Sequence, residues 1–185
     1  MDISVGVSNH HVHLTKEDAY TLFGEGYELT KKRDLVQIGQ FAAEETLTIV
    51  KNGKTLEHIR IIGPYRKYTQ VELLDTDNEY FGIKAPVRTS GDLWGSETVD
   101  LIGPKGKVHA VESTIIADTH IHMSKDDLIT FGRKNGETVS VEFENGYKMN
   151  NVHIKSDSTC RLELHINKDI ATNNGIETGM KVHIC

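Results

Sequence analysis

The sequence predicts a mainly β protein with a few short α-helices, built from two small units that repeat one pattern. β-branched residues fall in short alternating runs, and sixteen glycines supply tight turns between them. Two of these turns are Asn-Gly pairs, at residues 52–53 and 145–146, and this dipeptide between strand-like runs is a strong hairpin signal. The phrase His-x-His also occurs twice, at 11–13 and 120–122. A chain of 185 residues is long enough for two small domains.

Each copy of the repeat begins with a strand and continues into a helix. In a strand, side chains two positions apart point to the same face, so each His-x-His directs two imidazoles into one small volume. Thr15 and Ser124 follow the two pairs, and each has an aspartate three positions later, which is the capping-box spacing. Each copy therefore predicts a strand that carries two metal ligands and then a capped helix.

Further strands are predicted along the chain, and the repeat extends over them. They are about five residues long, the usual strand length. Their predicted positions are 46–51, 57–62, 70–74, 98–102, 138–143, 151–154 and 161–166. The runs before the two Asn-Gly turns, ETLTI at 45–49 and ETVSV at 137–141, resemble each other. The repeat therefore covers a hairpin as well as the two histidine pairs.

A third ligand in each copy comes from continuing this comparison. Gly82 and Gly175 each follow a short helical stretch, and ten residues before them stand Glu72 and His165, at the ends of predicted strands. The two predicted sites are therefore His11, His13 and Glu72, and His120, His122 and His165. Three nitrogen or oxygen ligands are typical of catalytic zinc, whereas structural zinc takes four and often sulfur. Other divalent metals, or a duplication without any metal, are the alternatives.

The composition argues against several classes of protein. The net charge is −6 and the basic residues are scattered, which argues against a nucleic-acid partner. No apolar run approaches a membrane span, and the first residues do not resemble a secretion signal. The two cysteines, Cys160 and Cys185, form no disulfide framework. We therefore expect a cytoplasmic protein without membrane or nucleic-acid partners.

Eight stretches of the chain, in this order and spacing, resemble the PduL-type phosphate propanoyltransferase family essentially from end to end. They are VSNHHVHL (7–14), KRDL (32–35), QFAAEET (40–46), GPYRK (63–67), TQVE (69–72), PVRTSGDL (86–93), HIHM (120–123) and LELH (162–165). The resemblance implies a phosphotransacylase, which reversibly converts a short-chain acyl-CoA, propanoyl-CoA or acetyl-CoA, and phosphate to acyl phosphate and CoA. It also implies two zinc ions per chain, held by the six residues that the repeat selects, and a homodimer is compatible with it.

The fold implied by the resemblance is two β-barrels capped by short helices, with the active site between them. One barrel is expected from residues 10–117 and the other from residues 1–9 together with 118–185. Family members packaged in bacterial microcompartments often carry a helical extension before the first strand, and none is seen here. This difference again favours a cytoplasmic enzyme.

The resemblance assigns Arg66 and Ser90 to the phosphate, with Arg66 as the catalytic residue. A guanidinium can bind phosphate through two parallel hydrogen bonds and stabilise a tetrahedral intermediate. Without the resemblance, two alternatives without a role in catalysis remain. Arg66 fits an exposed arginine at a strand end equally well, and Ser90 fits better as a hydroxyl in a turn. Because three neutral imidazoles leave an ion its full charge, we expect phosphate at the second ion and CoA nearer the first.

Residues for CoA follow from the resemblance alone. They are Val7, Ser8 and Asn9, with Arg60 as a further candidate. His10 departs from the family, which commonly has arginine there, so a CoA-phosphate contact at this position is in doubt. The glycine- and lysine-rich segment 103–107 is expected to be a hairpin turn rather than an anion site.

Two other functions fit the paired histidines. One is a binuclear zinc hydrolase of a thioester or amide, although such sites usually belong to an α/β barrel larger than this chain. The other is a non-catalytic metal-binding module, against which the open coordination position argues. The remaining strand histidines are expected to have no role in a site; they are His58, His109, His153 and His183.

Overall fold

The structure is a computed structural model that describes residues 2–185, and strands dominate it. The strands are β1 (Ile3–Ser8), β2 (His11–His13), β3 (Lys31–Asp34), β4 (Phe41–Lys51), β5 (Lys54–Gly63), β6 (Gln70–Glu72), β7 (Val87–Arg88), β8 (Glu97–Ile102), β9 (Lys107–Ala117), β10 (His120–His122), β11 (Thr138–Phe143), β12 (Lys148–Lys155), β13 (Glu163–Asn167) and β14 (Lys181–Ile184). The helices are α1 (Lys16–Phe23), α2 (Asp75–Phe81), α3 (Lys125–Phe131) and α4 (Lys168–Asn173). The predicted mainly β class is confirmed.

The chain divides into two compact units. The larger unit comprises His10–Leu35 and Gly39–Ala117. The smaller unit comprises the described chain up to Asn9, the short segment Val36–Ile38, and Asp118–Cys185. Among the helices of residues 2–185, none has the length and apolar character needed to cross a membrane.

Six strands of the larger unit close into a barrel. Their order is β4, β5, β2, β6, β9 and β8, and β8 pairs with β4 to complete the circle. β3 and β7 lie outside this circle, beside β4 and β9. Alternate side chains of the barrel strands point inward, so apolar residues at every second position form a common core. This core includes Val12, Ile49, Ile59, Ile61 and Leu101 from the strands, and Leu22 from α1 packs with them.

The smaller unit forms a second closed barrel with a different strand order, β1, β13, β10, β12, β11 and β14. β1 runs parallel to β13 and antiparallel to β14, so the first strand of the chain completes a barrel made by its last third. Its core is separate and includes Ile3, Ile121, Val141, Phe143, Val152 and Leu164. The two barrels that the family resemblance implies are thus confirmed.

Both histidine pairs are followed by capped helices, as the spacing predicts. The Ser124 hydroxyl accepts from the backbone N–H of Asp127 at 3.1 Å, and the Asp127 carboxylate accepts from the backbone N–H of Ser124 at 2.9 Å. In α1, Thr15 accepts from Asp18 N–H at 3.1 Å, but its own N–H donates to the Thr69 hydroxyl, which in turn donates to Asp18. Thr69 therefore completes the α1 cap from a neighbouring segment.

The two Asn-Gly hairpins form, with different turn lengths. Asn52 and Gly53 adopt positive φ values of 51° and 73° in a two-residue turn between β4 and β5. Gly146, with φ of 86°, lies in a longer turn between β11 and β12. The segment expected as a turn at 103–107 also forms a hairpin, in which Gly103 N–H donates to the Gly106 carbonyl at 2.9 Å.

Candidate metal centres

Strand register brings the predicted ligands of the larger unit together. β2 and β6 pair antiparallel, with His11 opposite Glu72 and His13 opposite Gln70. Directly opposite residues on antiparallel strands share a face of the sheet. Gln70 therefore joins the face that carries the three predicted ligands, which we call the Glu72 cluster: His11, His13 and Glu72.

The nitrogen and oxygen atoms of the Glu72 cluster converge at metal-ligand spacing. Nε2 of His11 lies 3.3 Å from Glu72 Oε2, and Nε2 of His13 lies 3.6 Å from Glu72 Oε1. Nδ1 of His13 lies 3.1 Å from the carbonyl oxygen of Ile62. A carbonyl only accepts, so Nδ1 carries the proton and Nε2 keeps the lone pair that a metal needs.

The charge states in the Glu72 cluster also suit a cation. Burial, together with the positive charges of His11 and Arg66, lowers the pKa of His13 to about 4, so its ring is neutral at neutral pH. Burial alone would raise the pKa of Glu72, but the charge and hydrogen bond of His11 contribute most to bringing it well below the usual range. The cluster therefore presents the neutral ring of His13 beside the ionised carboxylate of Glu72.

Both phosphate candidates are linked to the Glu72 cluster through Gln70. Nε2 of Gln70, a fully buried residue, donates to Glu72 Oε1 at 2.7 Å and to the Ser90 hydroxyl at 2.9 Å. Nη1 of Arg66 lies 3.4 Å from the same hydroxyl. Gly91 N–H donates to Gln70 Oε1 at 2.8 Å and holds the amide in this orientation. Arg66 and the Glu72 cluster are therefore joined by one hydrogen-bonded chain of side chains.

The second set of predicted ligands meets in the same way in the smaller unit. β10 and β13 pair antiparallel, with His120 opposite His165 and His122 opposite Glu163. Nε2 of His120 lies 3.0 Å from Nε2 of His122. The ring centroid of His165 lies 5.3 Å from that of His120 and 4.5 Å from that of His122. We call His120, His122 and His165 the His165 cluster.

Two rings of the His165 cluster, those of His120 and His122, have lowered pKa values and are oriented by hydrogen bonds. Burial, with the charges of His120 and His165, lowers the pKa of His122 to about 2, and burial also lowers the pKa of His120. Nδ1 of His120 lies 2.9 Å from the Asp118 carbonyl oxygen, so its Nε2 keeps the lone pair. Nδ1 of His122 lies 3.3 Å from the buried Cys160 thiol.

Both clusters fit a divalent metal ion. In each, one ligand atom from every member lies within 4.8 Å of the others. Neutral imidazoles with or without a carboxylate are ligands that zinc prefers, and a set of three leaves a coordination position open. Structural zinc sites built on thiolates need several cysteines, and the described chain has only Cys160 and Cys185.

Three polar residues at these centres escaped the sequence predictions: Gln70, Glu163 and Gln37. Glu163 is 8% exposed, and its Oε2 lies 2.5 Å from His165 Nε2 and 3.3 Å from Gln37 Nε2. The sequence held a signal for two of them, because Gln70-x-Glu72 and Glu163-x-His165 repeat the i, i+2 spacing of the histidine pairs. Gln37 has no such signal, because it reaches Glu163 from a segment distant in the chain.

The candidates for CoA lie on or next to β1 and on β5. In the pairing of β1 with β13, Val7 is opposite Ile166 and Ser8 is opposite Asn167, and Asn9 follows as an exposed residue. These three therefore lie in the smaller unit, near the strand that carries His165. Arg60 lies in the larger unit, opposite His11.

The side chains around these candidates are already engaged in part. Nη1 of Arg60 donates to the backbone carbonyls of Ala43 and Glu44, each at 2.8 Å, and so binds the backbone of β4. Nδ1 of His10 lies 3.0 Å from Asp77 Oδ2. His10 thus has a carboxylate as its partner.

Comparison with known proteins gives matches over nearly the whole chain. A family model described as phosphate propanoyltransferase matches residues 4–177. A phosphate propanoyltransferase of Lachnoclostridium phytofermentans is 46% identical over 185 residues, covering 98% of this chain and 86% of the relative. One from Thermotoga maritima is 45% identical, covering 98% and 88%, and one from Salmonella typhimurium is 39% identical, covering 95% and 84%. Each match includes both units.

Proposed function

Because the chain belongs to the phosphate propanoyltransferase family, we propose that it reversibly transfers a propanoyl or acetyl group between CoA and phosphate at two zinc ions. Membership of this family confirms the predicted enzyme class, an acyltransferase. It gives no support to the alternative of a binuclear zinc hydrolase. The zinc ions, the choice of acyl group and the residue roles are parts of the proposal.

The observation that carries the proposal is the hydrogen-bonded chain from Arg66 through Ser90 and Gln70 to Glu72. An arginine suits phosphate, because its planar guanidinium can donate two parallel hydrogen bonds to phosphate oxygens. Glu72, with His11 and His13, suits a cation. In this proposal dianionic phosphate binds both to Arg66 and to the metal ion, and one connected group of side chains holds the two together.

The reaction needs a phosphate oxygen to attack the thioester carbonyl carbon, after which the C–S bond breaks and CoA leaves as a thiolate. In our proposal Arg66 and Ser90 hold the phosphate and orient the attacking oxygen, which removes much of the entropic cost of bringing two reactants together. Arg66 also stabilises the negative charge that develops in the tetrahedral intermediate. These residues therefore act on the reacting atoms.

The proposed zinc ligands are His11, His13 and Glu72 for one ion, and His120, His122 and His165 for the other. Zinc, when bound there, supplies positive charge that polarises the carbonyl and favours the thiolate form of CoA. Glu163 bears on the expectation that phosphate binds at the second ion. Since each centre has one carboxylate on the ligand face, the charge difference that favoured phosphate at the second ion is absent.

We propose Val7, Ser8 and Asn9 as contacts for CoA. Their position beside β13 supports this, because it brings a polar strand end close to the His165 cluster. Arg60 is a weaker candidate, since part of its guanidinium binds the backbone of β4. A homodimer and a cytoplasmic location stay predictions, as do the domain boundaries at residues 10–117 and 1–9 with 118–185.

Thiol release from propanoyl-CoA, followed with and without phosphate, tests the proposed function. We expect release only with phosphate, together with formation of propanoyl phosphate, and a parallel assay with acetyl-CoA compares the two acyl groups. Thiol release without phosphate would favour hydrolysis. Metal binding without any release would favour a non-catalytic metal-binding module.

A further inference from the structure

Glu163 stands at an equivalent position to Gln70 in the duplicated arrangement. Gln70 lies opposite the second histidine of its pair and two residues before Glu72, and Glu163 lies opposite His122 and two residues before His165. Both side chains contact the third ligand of their own cluster. The two units therefore share a supporting position as well as three ligand positions.

The chemistry of each supporting residue matches that of the ligand it contacts. Glu72 is a carboxylate, which only accepts hydrogen bonds, and Gln70 offers it an amide N–H at 2.7 Å. His165 has a ring N–H to donate, and Glu163 offers it a carboxylate oxygen at 2.5 Å. In the larger unit Gln70 donates a hydrogen bond to the ligand Glu72, and in the smaller unit Glu163 accepts one from the ligand His165.

Glu163 is held in place on two sides. Gln37 donates through Nε2 to Glu163 Oε2 at 3.3 Å and to the Arg161 carbonyl at 3.1 Å, while its Oε1 accepts from Arg161 N–H at 2.9 Å. On the other side the carboxylate lies against Gly6, where a Cβ would come within 2.8 Å of Glu163 Oε1. Gln37 therefore holds the carboxylate, and the glycine at position 6 leaves the space that it occupies.

We propose that Glu163 is a positioning residue for metal binding by His165, an inference that rests on the proposed zinc site of the His165 cluster. Its carboxylate accepts from His165 Nε2–H, which sets the ring orientation and leaves Nδ1 as the nitrogen with a lone pair. A carboxylate behind a metal-binding histidine also raises the basicity of the ring, and loss of such a partner typically weakens metal binding about 10- to 100-fold.

Metal retention by Glu163→Ala and Glu163→Gln tests this role. Zinc per chain is measured after equilibration with graded concentrations of a chelator, beside the thermal unfolding temperature of the metal-free protein. We expect one of the two ions to be lost at about 10- to 100-fold lower chelator strength in Glu163→Ala. Glu163→Gln, which keeps the shape and a weaker acceptor, is expected to fall between Glu163→Ala and wild type. Glu177→Gln, an exposed glutamate in the same unit, is the matched control and retains both ions.

A second variant leaves the carboxylate in the chain but displaces it. Gly6→Ala introduces a Cβ against Glu163 Oε1, so we expect it to weaken retention of the same ion. If Glu163→Gln and Glu163→Ala retain both ions as the wild type does and only lower the unfolding temperature, Glu163 is purely structural. The inference about Glu163 then fails, while the proposed zinc site stands. If the wild-type protein itself holds no ion at the His165 cluster, the inference and the proposed zinc site fail together.

Discussion

Glu72 lies directly opposite His11 across β2 and β6, with its Oε2 3.3 Å from His11 Nε2. His165 lies opposite His120 across β10 and β13 in the same way. The register of one antiparallel strand pair in each unit therefore selects the third member of each cluster, because opposite residues share a face. A one-residue slip in either pair would turn that side chain to the other face and leave two histidines without a third ligand.

Removing one histidine from each cluster is expected to remove one metal ion. His11→Ala and His120→Ala each leave two ligands where zinc needs at least three protein ligands, so we expect zinc per chain to fall from about two to about one in each variant. Elemental analysis after gel filtration measures the content. His109→Ala, an exposed histidine paired with Asp100, is the control and should keep both ions. Unchanged zinc in His11→Ala would remove that residue from the ligand set.

Arg66→Ala is expected to lower turnover severely while the zinc content stays unchanged. The side chain contacts Ser90 rather than a metal ligand, and loss of one charged group that stabilises an oxyanion costs roughly 100- to 1,000-fold in kcat. The phosphate-dependent rate and zinc per chain are measured on the same preparation. Arg133→Ala removes a surface arginine paired with Glu137 and should leave the rate unchanged. A near-normal rate in Arg66→Ala would exclude it from the mechanism.

Tyr65 is expected to make the protein less stable at alkaline pH. Burial, with the negative charge of Glu28, raises the pKa of Tyr65 from 10.0 to about 12, and its hydroxyl donates to the Tyr27 carbonyl at 2.7 Å. Because the folded state holds this proton more tightly than the unfolded state, the stabilisation is complete below pH 10 and disappears as the pH rises to about 12.

Urea unfolding at a series of alkaline pH values checks this effect. Tyr65→Phe cannot ionise, so its stability should fall less steeply with pH across this window than that of the wild type. Identical slopes for Tyr65→Phe and wild type would show that Tyr65 does not cause the alkaline loss.

Ser124→Ala is expected to destabilise α3 by about 1 kcal/mol through loss of its N-cap. Ser124→Thr should keep most of the stability, because Thr15 makes the equivalent bond at the start of α1. Urea unfolding of the metal-free variants gives the difference in free energy. An equal loss for alanine and threonine would mean that the cap hydroxyl contributes little.

Much of each cluster could be predicted because it depends on local spacing. The alternation of side chains in a strand is enough to pair His11 with His13, and the duplication then leads to Glu72 and His165. The same alternation would have led to Gln70 and Glu163. They were missed because a glutamine or glutamate in a strand more often marks a solvated face than a support for a ligand.

The remaining features depend on contacts between distant parts of the chain. Gln37 reaches Arg161 and Glu163 through side-chain hydrogen bonds that leave no local pattern. β3, at Lys31–Asp34, was not predicted because all four of its residues are charged and exposed, and only its pairing with β4 makes it a strand.

Phosphate-dependent CoA release from propanoyl-CoA, measured before and after removal of metal, tests whether acyl transfer depends on bound zinc. We predict that protein dialysed against a chelator, with its zinc content measured, loses this activity and regains it when zinc is restored at two equivalents per chain. Metal-free protein that releases CoA at the rate of the zinc-loaded protein would contradict the proposed zinc-dependent transfer.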